Sequence, residues 1–142
     1  MVKFKVLFLL ACLFAGIQSA SAGTSADGLW RLSNGKLTVR VASCNGDKLC
    51  GHVAALAKAL KDDGTPQLDI NNPNSALRSR PVIGLQIING MTQTGPNSWK
   101  GKIYNADDGH TYSAYAKLIG NKFRVKGCWG PFCKNLDFSR AN

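Results

Sequence analysis

The stretch Thr111-Tyr112-Ser113-Ala114-Tyr115-Ala116-Lys117-Leu118-Ile119-Gly120-Asn121-Lys122-Phe123-Arg124-Val125-Lys126 decides the fold. Tyr112, Ala114, Ala116 and Leu118 recur at every second position, and Phe123 and Val125 do the same between Lys122, Arg124 and Lys126. A period of two marks a strand with one buried and one wet face, because successive side chains leave a strand on opposite sides. Gly120-Asn121 separates the two runs and supplies residues that accept positive φ, so the segment reads as a β-hairpin.

Outward from this hairpin the same period repeats. In 36–41, Leu37, Val39 and Val41 alternate with Lys36, Thr38 and Arg40; in 98–104, Trp99, Gly101 and Ile103 oppose Lys100, Lys102 and Tyr104. Further strands are expected over 28–33, 49–56, 82–88 and 135–140, and Asn105-Ala106-Asp107-Asp108-Gly109 reads as another turn. About eight short strands suit an all-β, single antiparallel barrel, whose closure removes the exposed edges of an open sheet. One segment differs: Val53-Ala54-Ala55-Leu56-Ala57-Lys58-Ala59-Leu60-Lys61 carries strong helix formers and predicts strand to about Leu56 with helix after it. Residues 61–80 form a long polar loop with Gly64, Pro66 and Pro73, in which Asn72 and Pro73 predict the cap and start of a helical turn over 73–78.

The chain has 142 residues, 18 Lys plus Arg, eight Asp and no Glu, for a net charge of +10. That length makes one domain and excludes a multidomain enzyme; the composition excludes a coiled coil and an acidic disordered tail. Residues 1–22 read as an export signal: Lys3 and Lys5, an apolar run over 6–17, and Ala20-Ser21-Ala22 before Gly23. Leu9-Leu10-Ala11-Cys12 also resembles a lipid-attachment box, against which stands the apolar continuation through Leu13 and Phe14. The apolar run is too short to span a bilayer, which takes ~20 residues, so the protein is expected to be periplasmic or secreted and not membrane-spanning.

Loss of the leader leaves residues 23–142 with a net charge of +8 and four cysteines, Cys44, Cys50, Cys128 and Cys133. An even count in an exported chain favours disulfides. Of three connectivities, Cys44 to Cys50 and Cys128 to Cys133 is preferred, because each pair brackets a short turn. A four-cysteine zinc site is disfavoured by intervals of five and four residues, and no metal is expected.

A succession of motifs carries a resemblance. They are Gly28-Leu29-Trp30, Leu49-Cys50-Gly51-His52-Val53, Asp69-Ile70-Asn71-Asn72-Pro73, Arg78-Ser79-Arg80-Pro81-Val82-Ile83-Gly84-Leu85, Trp99-Lys100-Gly101-Lys102-Ile103-Tyr104, Asp108-Gly109-His110-Thr111-Tyr112 and Val125-Lys126-Gly127-Cys128. Their order resembles the small exported bacterial proteins of the family domain of unknown function 2147. The resemblance spans residues 23–142 and implies a lipocalin-like barrel in a periplasmic or secreted protein; it implies no reaction. Two departures stand out: Phe138 where that family commonly has Trp before the final Arg, and the Cys128 and Cys133 pair around Trp129.

Catalysis finds little support, for the chain lacks Glu, a Gly-x-Ser-x-Gly turn, a phosphate-binding glycine loop and a His pair at metal-ligand spacing. His110 beside Asp108 can be drawn as a base with its orienting carboxylate, which is the hydrolytic reading; a turn whose aspartates satisfy their own backbone explains the same residues. His52 reads as a locally packed or hydrogen-bonded residue. Asp69, Asn72, Arg78 and Arg80 are candidate ligand-binding residues: a lid over one barrel mouth with an arginine fork for a carboxylate or phosphate, or an ion pair that holds the loop down. Trp30, Trp99 and Tyr112 are expected either to line a ligand cavity or to fill the barrel themselves. Lys100, Lys102, Lys117, Lys122, Arg124 and Lys126 share the outward phase of their strands and form a basic patch, either a solvated face or a contact for an anionic envelope surface or polymer. The expected function is therefore an exported, non-enzymatic binding barrel, without cofactor, for a small, partly apolar or anionic ligand. The alternative is an interaction protein that works through the basic face, without sequence-specific nucleic-acid binding.

Overall fold

The computed structural model describes residues 25–142, so the export signal expected at 1–22 lies outside the described residues. Among the described residues the chain forms β1 (Gly28–Leu32), β2 (Leu37–Cys44), β3 (Lys48–Leu56), β4 (Gln86–Gly95), β5 (Ser98–Asn105), β6 (His110–Ile119), β7 (Lys122–Trp129) and β8 (Phe132–Arg140), with a single 3-10 turn at Ser75–Leu77. Each strand pairs antiparallel with the next, and β8 returns to β1, with Trp30 opposite Arg140 and Leu32 opposite Phe138, to close the barrel. The hairpin expected around Gly120-Asn121 is β6 and β7, in unbroken register from Ser113 opposite Cys128 to Ile119 opposite Lys122.

The inward phase builds the core. Trp30, Val39, Val41, Met91, Ala114, Phe123 and Val125 are buried, and Phe123 sits at the centre with Trp30, Trp99 and Phe138 at ring-centroid distances of 5.4, 6.3 and 6.5 Å. Inward glycines are taken up by larger neighbours: a Cβ on Gly51 would lie 2.8 Å from Ile88, and one on Gly101 2.9 Å from the Met91 backbone. Small beside large at facing positions is how a narrow barrel reaches close packing.

One end, called lower here, holds the β2–β3, β4–β5 and β6–β7 turns together with residues 25–27 and 141–142. It is plugged. The Trp30 indole donates to the Ala26 carbonyl at 2.7 Å, while the Arg140 guanidinium lies 4.3 Å over the Trp30 ring and donates to the Asp27 and Ser25 carbonyls, both at 2.5 Å. The two disulfides join Cys44 to Cys50 and Cys128 to Cys133, as the bracketed turns suggested.

Three expectations are corrected. No helix follows Leu56: the chain turns at once, with Lys61 N–H donating to Thr65 O and Gly64 at φ +81°, because a stretch of five residues cannot repay helix nucleation. The strand expected over 82–88 begins only at Gln86, since Val82 to Leu85 form a turn around Gly84, and it continues to Gly95. Its register shifts between Ile88 and Thr92, where Gly90 has φ +56°, so a bulge breaks the alternation that the sequence reading depended on. Within the long loop, Asn74 and not Asn72 caps the short turn, because the Asn72 carboxamide is engaged elsewhere.

Candidate functional site

The other end of the barrel, the upper rim, collects the β1–β2, β3–β4, β5–β6 and β7–β8 connections. The β3–β4 connection, 57–85, is the long loop, and its polar cluster is real. Asp69 is fully buried and accepts from Arg80 Nε at 3.0 Å, Asn72 Nδ2 at 2.8 Å and Tyr104 Oη at 2.5 Å, with Arg80 Nη2 at 2.9 Å. Asn72 also donates to Tyr104 Oη at 3.1 Å, and Arg78 Nε donates to the Asn72 carbonyl at 2.7 Å. A second attachment runs to the β5–β6 turn, where Asn71 donates to the Asp107 carbonyl at 2.8 Å. The backbone there is so close that a Cβ on Gly109 would lie 1.8 Å from the Asn71 oxygen.

Both Asp69 oxygens are thus filled by the protein's own donors, and the Arg80 fork points at Asp69 rather than outward. Tyr104 follows the inward Ile103 in an unbroken ladder, so it leaves β5 on the outer side; the loop covers it and leaves it 8% exposed. The loop is therefore strapped to the outer wall at the rim. Burial pushes the Asp69 carboxyl up, but hydrogen bonds from Tyr104, Asn72 and Arg80 outweigh it and hold the carboxyl below the ordinary aspartate value. The same burial and the adjacent carboxylate push the Tyr104 hydroxyl up to about 12.

Of the remaining expected ligand residues, Trp30 and Trp99 are buried in the core against Phe123 and are not brought together with the loop cluster. Tyr112 does reach the rim. It pairs with Ile103 on the inward face, donates to Asp108 Oδ2 at 2.5 Å, and packs 5.8 Å from Trp129 and 6.3 Å from His110, which itself meets Trp129 edge-on at 5.4 Å. Trp129 is 59% exposed, and Phe132, directly opposite it on β8, is 78% exposed. Gly127 lies one inward step below Trp129, and a Cβ there would meet nothing closer than 3.7 Å. At the upper ends of β1, β2 and β3, Leu32, Leu37 and Leu56 remain only partly buried against the core, as does Leu136 on β8. Lys134, opposite Gly127, adds an exposed cation on the same phase of β8.

Trp129 and Phe132 lie outside the alternating segment 122–126 that the sequence marks as strand. Carried on through Gly127 to Trp129, the same phase would have placed the indole inward at the mouth. His110 and Asp108 are in contact, Nδ1 to Oδ1 3.6 Å, longer than a hydrogen bond. Asp108 instead accepts from the His110 backbone at 2.9 Å, Asn105 at 3.0 Å and Tyr112. It is an aspartate that organises its own turn. Burial raises its carboxyl, and these hydrogen bonds, led by that of Tyr112, more than reverse the effect.

The basic residues lie on the outer face of β5 to β7. Lys100, Tyr115 and Lys126 stand in one row across the strands, and Lys117 and Arg124 stand in the next. Arg124 is not available as a free cation, because it forms a two-pronged contact with Asp137 at 2.5 and 3.0 Å. Among the described residues no group of His, Cys, Asp or Glu is placed to hold a metal, and no helix is long and apolar enough to cross a membrane.

A closed eight-stranded antiparallel barrel with residues 25–27 folded under one end and exposed aromatic rings at the other rim is a lipocalin-like barrel. The chain belongs to the bacterial family described as "Uncharacterized protein conserved in bacteria (DUF2147)", whose model matches residues 28–140, from the glycine beside Arg140 to Arg140 itself. Among solved structures it is similar to protein HP1028 from the human pathogen Helicobacter pylori, described as belonging to the lipocalin family, with 25% identity over 83% of this chain and 84% of that one and a TM-score of 0.70. No curated protein matches the chain.

Proposed function

We propose that this protein is an exported, non-enzymatic binding barrel that takes a small, partly apolar ligand at its upper rim rather than deep within its interior. Its fold is one generally used for binding. The observation that carries the reading is the mutually packed group of Tyr112, His110 and Trp129 at the upper rim, where Trp129 is 59% exposed. Exposed aromatic rings on a rigid scaffold offer area at little entropic cost. Trp30, Phe123 and Met91 are fully buried in the core, and a cleft of about 290 Å³ at the lower end reaches only as far as Trp99 and Leu49. Lys134, exposed on the same phase of β8 as Phe132, supplies positive charge for an anionic group on the ligand.

Native mass spectrometry of protein purified from the cells that make it should show a retained small molecule, and Trp129→Ala should lower its occupancy at least tenfold. Retention unchanged in that variant and in Phe132→Ala would refute a rim site. A second reading, favoured by the concentration of lysines around Tyr115, is that the outer face of β5 to β7 contacts an anionic envelope surface or polymer.

A further inference from the structure

We infer that the outer face of β5 to β7 docks onto an anionic lipid surface. The inference rests on the second reading above and names its partner. Lys100, Lys102, Lys117, Lys122, Arg124 and Lys126 all leave their strands on this face, because each alternates with an inward residue in an unbroken ladder. Asp137 on β8 is the single carboxylate among them, and the other seven aspartates, Asp27, Asp47, Asp62, Asp63, Asp69, Asp107 and Asp108, belong to turns and loops. The face therefore holds five of the eight positive charges that residues 23–142 carry in excess. The five lysines make no ion pair among the described residues.

Four features favour a lipid surface over a thread-like polyanion. The array is two-dimensional: with strands about 4.8 Å apart and same-face residues about 6.7 Å apart, the lysines occupy roughly 10 by 20 Å, the footprint of several headgroups rather than of one chain. Tyr115 does not offer a stacking plane to a sugar or base, because the ammonium groups of Lys100 and Lys126 lie 5.5 and 5.4 Å from its ring centroid. Arg124, the side chain suited to forked phosphate recognition, is tied to Asp137, which leaves point charges that attract a charged surface without selecting one group. Finally, Tyr115 (43% exposed) and Ile119 (48% exposed) stand among the lysines on β6, and an aromatic with a polar tip beside an aliphatic side chain suits the boundary between headgroups and acyl chains.

Flotation with vesicles of phosphatidylcholine, with or without phosphatidylglycerol, tests this. The expected result is association with the anionic vesicles alone, falling steeply as salt rises. Replacing Lys117, Lys122 and Lys126 by Ser should lower partitioning on the order of a hundredfold. A control that replaces Lys36, Lys48 and Lys58 by Ser removes the same charge from elsewhere and should leave most of the binding. Equal losses in the two variants would overturn the inference in favour of net charge. Binding to a soluble acidic polysaccharide but not to vesicles, lost with the same three lysines, would overturn the lipid assignment while leaving the basic-face reading intact. Absence of binding to either at low salt would overturn both.

Discussion

Gly28 shows how much one missing side chain can decide. It holds φ +136°, and a Cβ there would lie 2.4 Å from the Arg140 guanidinium, which is the group that caps Trp30. Gly28→Ala should therefore destabilise the barrel by about 1–3 kcal/mol through backbone strain and displacement of the cap, read as a lower denaturation midpoint. The Asp69 anchor makes two pH predictions. Its folded carboxyl titrates below the unfolded one, so its contribution is present above about pH 4 and is lost as pH falls below that; protease cleavage within 57–85 should rise only there. Asp69→Asn should remove that acid step, with a cost of about 1–3 kcal/mol for the acceptors lost by Tyr104 and Arg80. Tyr104 has the opposite sign: raised to about 12 when folded, it contributes fully below pH 10, and the contribution fades as pH rises through 12. Ultraviolet titration should show a late tyrosine that Tyr104→Phe abolishes. A pairing of Asp69 with one of the loop arginines could be read from the sequence, but neither the choice of Arg80 over Arg78 nor Tyr104 as its partner could, since the outward phase of Tyr104 predicted a wet residue and only the loop's path covers it.

At the level of strands, the alternating segments emerged almost as read because each is amphipathic by itself. β4 departs from the expected bounds because its bulge at Gly90 breaks the period, and the helix formers after Leu56 give way to a bend at 57–58 and then the turn at Gly64. The rim was half legible: Tyr112 was picked out, while Trp129 and Phe132 lay across a turn where alternation was no longer followed. The Cys128 to Cys133 bridge ties the two strands that present this pair. Closing so short a loop stabilises by only ~2 kcal/mol on the chain-entropy estimate. Cys128→Ser with Cys133→Ser should accordingly leave the fold intact by circular dichroism while lowering retention of the small molecule proposed to bind at the rim, read by native mass spectrometry.

For the molecule as a whole, every strand is paired on both sides and one aromatic cluster centred on Phe123 serves the entire interior. Phe123→Ala should cost about 3–5 kcal/mol and lower the whole transition together, with backbone and tryptophan signals remaining coincident. Divergence of the two signals would show that the barrel melts in parts. The seam at β1 and β8 has a further consequence for biogenesis. Arg140 contacts Ser25 across 115 residues, so two segments far apart in the chain must meet before the cylinder shuts. Neighbouring hairpins can zip as they emerge, whereas Trp30 must wait for the final strand. A nascent chain halted before Arg140 would hold its first tryptophan uncovered, a natural handle for chaperones and proteases that police unfinished products.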